Sequence, residues 1–341
     1  MPDRPAGLPQ RRPDPEENPV ISRRTWILSL AAAPVVLSAC GSGADDPATA
    51  PAAAATRGGV DTSPEQTGRI AVQAVPEIAA KVPRAIRDRG TLVIGTTGNG
   101  NPPLSFRADD DETVIGIEPD IALLVAATLG LEPEIRTTSW ENLFLSMESG
   151  QYDVGFSNIT VTEERKEKYD FASYRVDTLA WEVAKDSDIT RIAGPADIAG
   201  LTVSVGSGTN QEKVLLDWDA QNVAAGREPV KIQYYQQAAD TYLALRSGRI
   251  QASFGPNPTA AYHAAVAGDT KVVGLVPGGG TVQAAIAATT QKGNGLVEAL
   301  ADALNHLIGS GAYAKTLERW SLADEAVPAS EINPPGLPRT A

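Results

Sequence analysis

The chain reads as an α/β protein built from two similar units that face each other across a cleft. Short apolar strands alternate with amphipathic helical segments, the pattern of βαβ units and a largely parallel sheet. The pattern runs from about residue 92 to 156 and starts again at Leu201. Turns rich in Gly, Ser and Thr follow strand ends, where open α/β sheets bind their ligands. A single doubly wound sheet carrying all these elements is the other architecture that patterning allows.

The elements follow in order. Leu92-Val93-Ile94-Gly95 is a strand that opens into polar turn residues and Pro102-Pro103. Apolar positions Ile121, Leu124, Val125 and Leu129 fall at helical spacing within 118–129, with Gly130 at the C-cap position. A strand at 134–137, a helix over 140–149 closed by Gly150, and a strand at 152–156 complete the first unit. The second has strands at 201–205, 231–235, 250–254 and 271–276, with helices at 211–220, 238–247 and 259–267. A strand at 282–289 and two amphipathic helices, 296–308 and 313–320, follow.

Composition bounds the function. Of 341 residues, 42% are hydrophobic and 21% charged, which excludes wholesale disorder. The net charge of −13 argues against nucleic-acid binding and favours a soluble, monomeric body. Cys40 is the lone cysteine and His263 and His306 the only histidines, so neither a disulfide nor a metal-ligand pair at short spacing is available. No cofactor is implied.

Residues 1–40 read as an address. Arg23-Arg24 precede an apolar stretch running to Ala39, too short to span a bilayer comfortably. The arginine pair resembles a twin-arginine export signal, and Leu37-Ser38-Ala39-Cys40-Gly41 resembles a bacterial lipobox. Cys40 is then the lipidated N-terminus, a membrane anchor on the extracytoplasmic face. Residues 41–74, rich in Ala, Gly, Pro, Ser and Thr, are expected to form a flexible linker.

The segment from Asp153 to Lys166 carries most of the binding chemistry. A strand runs into Ser157-Asn158-Ile159, and Thr160-x-x-Glu163 is the spacing of a capped helix start. Arg165 then falls in the first helical turn, where the dipole disfavours a cation and an anion would relieve it. Its planar fork matches a carboxylate. A surface ion pair with Glu163 or Asp170 is the plainer alternative.

The body is similar to the extracellular solute-binding proteins of family 3, the polar amino-acid-binding components of ABC transporters. The matching pieces include Gly90-Thr91-Leu92-Val93-Ile94-Gly95, Gly116-Ile117-Glu118-Pro119-Asp120, Trp140-x-x-Leu143, Ile159–Arg165, Phe171-Ala172-Ser173-Tyr174, Gly206-Ser207-Gly208-Thr209 and Ala244–Ile250. They run in order from about Val82 to Trp320.

The resemblance implies a periplasmic-binding-protein-like α/β fold. Its first lobe comprises 75–183 and 281–327, its second 184–280, and an irregular tail covers 328–341. Two crossover strands, near 181–185 and 281–289, would let the lobes close on the ligand. The resemblance also implies that Arg165 and Thr160 hold a ligand carboxylate, joined by Gly208 and Thr209, while Asn158 contacts the polar head and Trp140 walls the pocket.

Where the family places an ammonium-binding aspartate, this chain has Pro256, with neutral Asn257 beside it. An ammonium enclosed without a carboxylate is costly. Either Asn257 and backbone carbonyls take the ammonium, or the ligand is amino-acid-like rather than a standard α-amino acid; the expected partners are a small carboxylate-bearing solute and an ABC permease. An exported cyclohexadienyl-dehydratase-like enzyme, using Glu118 or Glu141 as acid, is the rival on the same fold. A ligand-sensing module for a separate signalling protein is the second.

Overall fold

The computed structural model describes residues 56–339 other than 58, 99 and 101. The export signal, Cys40 and the first part of the linker lie outside the described residues.

Nine strands form one sheet: β1 (Thr91–Thr96), β2 (Glu132–Thr137), β3 (Val154–Gly155), β4 (Tyr169–Ala184), β5 (Thr202–Val205), β6 (Lys231–Gln233), β7 (Ala252–Pro256), β8 (Thr270–Pro277) and β9 (Ala284–Gln291). Their order is β6-β5-β7-β4-β9-β3-β1-β2, with β8 also on β4. At one end β2, β1 and β3 are parallel, and at the other β6, β5 and β7 are parallel. Seven helices pack on this frame: α1 (Ile117–Thr128), α2 (Trp140–Glu148), α3 (Asn210–Ala224), α4 (Ala238–Arg246), α5 (Asn257–Val266), α6 (Val297–Ser310) and α7 (Ala312–Arg319).

The 16-residue β4 joins the two halves. Its first part, Tyr169–Asp177, pairs with β9 of the first half, and its second, Thr178–Ala184, pairs with β8. β8 and β9 lie end to end along one edge of β4, interrupted between Pro277 and Ala284, opposite Asp177 and Thr178. The changeover on β4 thus comes a few residues before the expected 181–185. Gly278 sits in the interruption, where a Cβ would meet the Asp177 carboxylate at 2.0 Å. Only glycine admits that approach.

Each half has its own core. The first centres on Leu92, Ile94, Ile121, Val125, Leu300 and Leu304, the second on Leu179, Trp181, Val203, Leu215 and Phe254. Trp181 stacks on Phe254 at 4.1 Å and on Trp218 at 5.7 Å. The two units expected from the repeated βαβ pattern are therefore present, joined through one continuous sheet.

Two expectations need correction. The linker was expected to remain flexible to residue 74, yet Val60 and Gln66 are buried and Arg69 pairs with Asp120 at 2.8 Å. Apolar and charged side chains with partners on α1 and α7 dock what composition alone reads as tether. The helix expected after Thr160 is only a short 3₁₀ turn, Arg165–Glu167. Ahead of that turn the Thr162 hydroxyl accepts from Arg165 N at 3.0 Å, while the Thr160 hydroxyl is bound to Asp177.

The tail after Pro328 lacks long regular elements, as expected, but it is held. The Asn333 side chain accepts from Phe171 N at 2.9 Å, and Leu337 is buried in the core of the second half.

Candidate functional site

Between the halves runs a cleft with two connected chambers. One, of about 280 Å³, is lined by Ser157, Asn158, Glu118, Thr209, Asn210 and Gln211. The other, about 370 Å³, reaches along the second half past Ser204, Ser253, Glu182 and Tyr242. Thr97, Trp140, Gly206, Phe254, Gly255, Pro256 and Thr259 line both.

Ser139 N-caps α2, accepting from Asn142 N, and starts the helix with Trp140 over the cleft. The Trp140 indole Nε1 donates to the Gly208 carbonyl across the cleft at 3.4 Å. The Arg165 guanidinium lies over the rings of Trp140 and Phe144, at 5.3 and 4.9 Å from their centroids. It donates to the Thr160 carbonyl at 2.9 Å and to the Gly208 carbonyl at 3.2 Å. Among the described residues it forms no ion pair; Glu163 pairs instead with Lys166 at 2.8 Å. Burial pushes Arg165 down to about 10, with Asp177 pulling the other way, so it stays cationic at neutral pH.

Across the cleft, Thr209 caps α3. Its hydroxyl accepts from Glu212 N at 3.2 Å and donates to the Gly206 carbonyl at 2.7 Å. Glu212 returns a bond from Gly208 N at 2.7 Å, with Gly208 in the left-handed region at φ 70°. Thr209 therefore caps its helix through its hydroxyl, while Glu212 accepts from the residue before the cap rather than from Thr209 N. The start of α3, at Asn210 and Gln211, faces the smaller chamber, and a helix N-terminus favours an anion.

Asn158 also lines that chamber, in the left-handed region at φ 51°. Its backbone N–H donates to Glu118 at 3.0 Å, and its side-chain oxygen accepts from Arg175 at 2.7 Å. Arg175 is 1% exposed and bridges Glu118 and Glu325, while the Tyr174 hydroxyl donates to Glu118. This buried network holds Asn158 in a backbone conformation it would not choose alone.

Asp177, at the changeover on β4, accepts from the Thr160 hydroxyl at 2.7 Å and from Asn210 Nδ2 at 3.0 Å. Those donors come from opposite halves, so one carboxylate pins them together. Burial raises it to about 6, against the pull of its hydrogen bonds and of Arg175 and Arg165.

Of the residues singled out in the sequence, Trp140, Asn158 and Thr209 line the cleft. Arg165 and Gly208 are not among its lining residues; the Arg165 guanidinium lies over the Trp140 ring and donates to the Gly208 carbonyl. Thr160 reaches Arg165 through its carbonyl and spends its hydroxyl on Asp177. Asn257 opens α5 and is not among the lining residues. Arg175, Asp177 and Glu182 escaped sequence reasoning, although charges inside the apolar run of β4 were a visible signal. Glu118 was noticed only as a possible acid.

Residues 92–323 match the family model of bacterial extracellular solute-binding proteins, family 3. The arginine-binding protein ArgT of Corynebacterium glutamicum is 31% identical, the match covering 80% of this chain and 87% of that protein. The L-cystine-binding protein TcyJ of Escherichia coli K12 is 32% identical over 70% of this chain and 85% of its own length. Among solved structures, the ancestral amino acid-binding protein AncCDT-1, a precursor of cyclohexadienyl dehydratase, superposes with a TM-score of 0.60. It is 27% identical and covers 69% of this chain and 97% of its own.

Sequence order, two-part α/β fold and interlobe cleft therefore agree: the chain belongs to the bacterial extracellular solute-binding proteins of family 3.

Proposed function

We propose that the protein binds a small carboxylate-bearing amino acid, or an amino-acid-like solute, by closing its two halves about β4 and the Pro277–Ala284 connection. The observation that carries this reading is the junction of Arg165, Gly208 and the start of α3. Among the described residues the Arg165 guanidinium has no carboxylate partner and donates to Gly208, which directly precedes the α3 cap Thr209; the cation and the helix N-terminus both favour an anion. Asn158, with its backbone fixed by Glu118 and Arg175, offers a rigid polar contact, and Trp140 closes over the ligand. Contacts made to both halves stabilise the closed state relative to the open one.

A charge-assisted hydrogen bond is worth about 1.5–3 kcal/mol. Arg165→Ala is therefore expected to weaken binding of the ligand by about tenfold to a hundredfold, read by calorimetric titration. Unchanged affinity would remove Arg165 from the clamp.

Binding rather than catalysis is the reading favoured here. Glu118, the buried acid that faces the cleft, is ion-paired to Arg175 at 2.5 Å and also accepts from the Tyr174 hydroxyl and Asn158 N, so its oxygens are spent on contacts within the fold. Anchoring through a diacylglyceryl group on Cys40, with the monomeric body tethered near its permease, completes the proposal. It is supported by the ordered arginine pair, apolar run and lipobox-like residues.

A further inference from the structure

The larger chamber has a chemistry of its own. Register places Glu182 of β4, Ser253 of β7 and Ser204 of β5 side by side across three adjacent strands, so their side chains share one face of the sheet. All three line the chamber. One step along the same face stand Ala180 and Gly255, also paired, and Gly206. Small residues thus leave a slot over the sheet with a carboxylate at its end.

Glu182 is 4% exposed, and Ser204 is 2% exposed. Both hydrogen bonds to the Glu182 carboxylate, from Thr270 at 2.5 Å and the His263 ring at 3.0 Å, fall on Oε1. Among the described residues no hydrogen bond falls on Oε2, and Glu182 lines the chamber. The Ser204 hydroxyl is buried and has no hydrogen-bond partner. Buried polar groups in native proteins find partners, so an unspent hydroxyl beside a half-spent carboxylate marks a place for a donor. Among the described residues lining the chamber none is lysine, arginine or histidine, and Glu141 adds a second carboxylate at its mouth. The Tyr242 ring, stacked on His263 at 3.3 Å, walls one side.

We propose that this slot binds a positively charged group of the ligand, an ammonium or guanidinium, with Glu182 Oε2 and Ser204 Oγ as its acceptors. The inference rests on the carboxylate-clamp reading above and extends it. The two chambers share Gly206, Gly255 and Pro256, so one elongated molecule can reach both. The ligand class that follows is a cationic amino acid or amine-bearing acid, with its carboxylate at α3 and its cation over the sheet.

The test is titration of the full chain with arginine and with citrulline, which share shape and α-groups but differ in distal charge. Wild-type protein is expected to prefer arginine by about tenfold or more. Glu182→Gln is expected to remove that preference, bringing the two affinities within about threefold of each other in the same variant. Should Glu182→Gln disturb folding through Thr270 and His263, Ser204→Ala leaves those contacts in place and removes the second acceptor. That variant is expected to reduce the arginine preference by about threefold or more.

Equal wild-type affinity for the two, or a preference unchanged in both variants, overturns the slot and leaves the clamp standing. Binding of neither, with no other α-amino acid bound, overturns the clamp and the slot together.

Discussion

Replacing Arg175 with methionine is expected to destabilise the protein by about 3–5 kcal/mol, the usual consequence of removing one partner from a buried ion pair. Glu118 is fully buried and Glu325 is 5% exposed, and Arg175 is the cation between them. Even with Arg175 present, burial raises Glu325 to about 7. Without it, two carboxylates must either remain charged in a dry site or take up protons. Thermal melting should fall by about 10 °C.

Adding Glu118→Gln and Glu325→Gln should recover much of that loss, because the uncompensated charges disappear. Asn158 would still lack one of its two constraints, so ligand affinity should stay reduced. A Tm within about 2 °C of wild type for Arg175→Met alone would mean that the network contributes little.

The second large effect is the pH dependence set by Asp177. Burial raises its carboxyl from the ordinary 3.8 to about 6 in the folded protein. The folded state therefore binds the proton more tightly than the unfolded chain. That contribution is fully present below about pH 4 and is lost as pH rises through about 6. Glu325 has the same sign, with its loss extending to about pH 7.

Asp177→Asn keeps groups able to meet Thr160 and Asn210 but does not titrate. Its stability relative to wild type should rise by up to about 3 kcal/mol between pH 4 and pH 7, measured by denaturant unfolding at each pH. A difference that stays flat, or falls, across that window would show that the carboxylate is not held in a dry site.

Much of this fold was legible in the sequence because its elements obey local rules. The periodicity of α1, the Gly130 turn after it and the apolar run of β1 each point to one structure without tertiary help. The length of β4 was not legible, because its first half sits in a Tyr/Asp/Ser/Arg-containing stretch whose polar side chains are satisfied only by distant partners such as Glu325 and Thr160. The same cause hid the docking of the segment around Arg69, whose partner Asp120 lies 51 residues away.

The site was legible in part. A motif located Arg165, Asn158 and Thr209 near one another, yet motifs carry no register. Only strand pairing sets Glu182, Ser253 and Ser204 side by side. The acceptor expected at Pro256 is missing from the sequence, and the pairing of β4 with β7 sets the Glu182 carboxylate beside Ser253. Thr160 illustrates the reverse, a hydroxyl with the right type and spacing for capping that a buried carboxylate claims instead.

Thermal unfolding with a panel of amino acids, each compared with its own carboxamide, tests closure on a ligand carboxylate most directly. A ligand at about one hundred times its dissociation constant stabilises the folded state by about 2.7 kcal/mol. The account predicts such a shift for at least one free acid, and little or none for its carboxamide at the same concentration. An equal shift from acid and amide, or no shift across the whole panel, would contradict it.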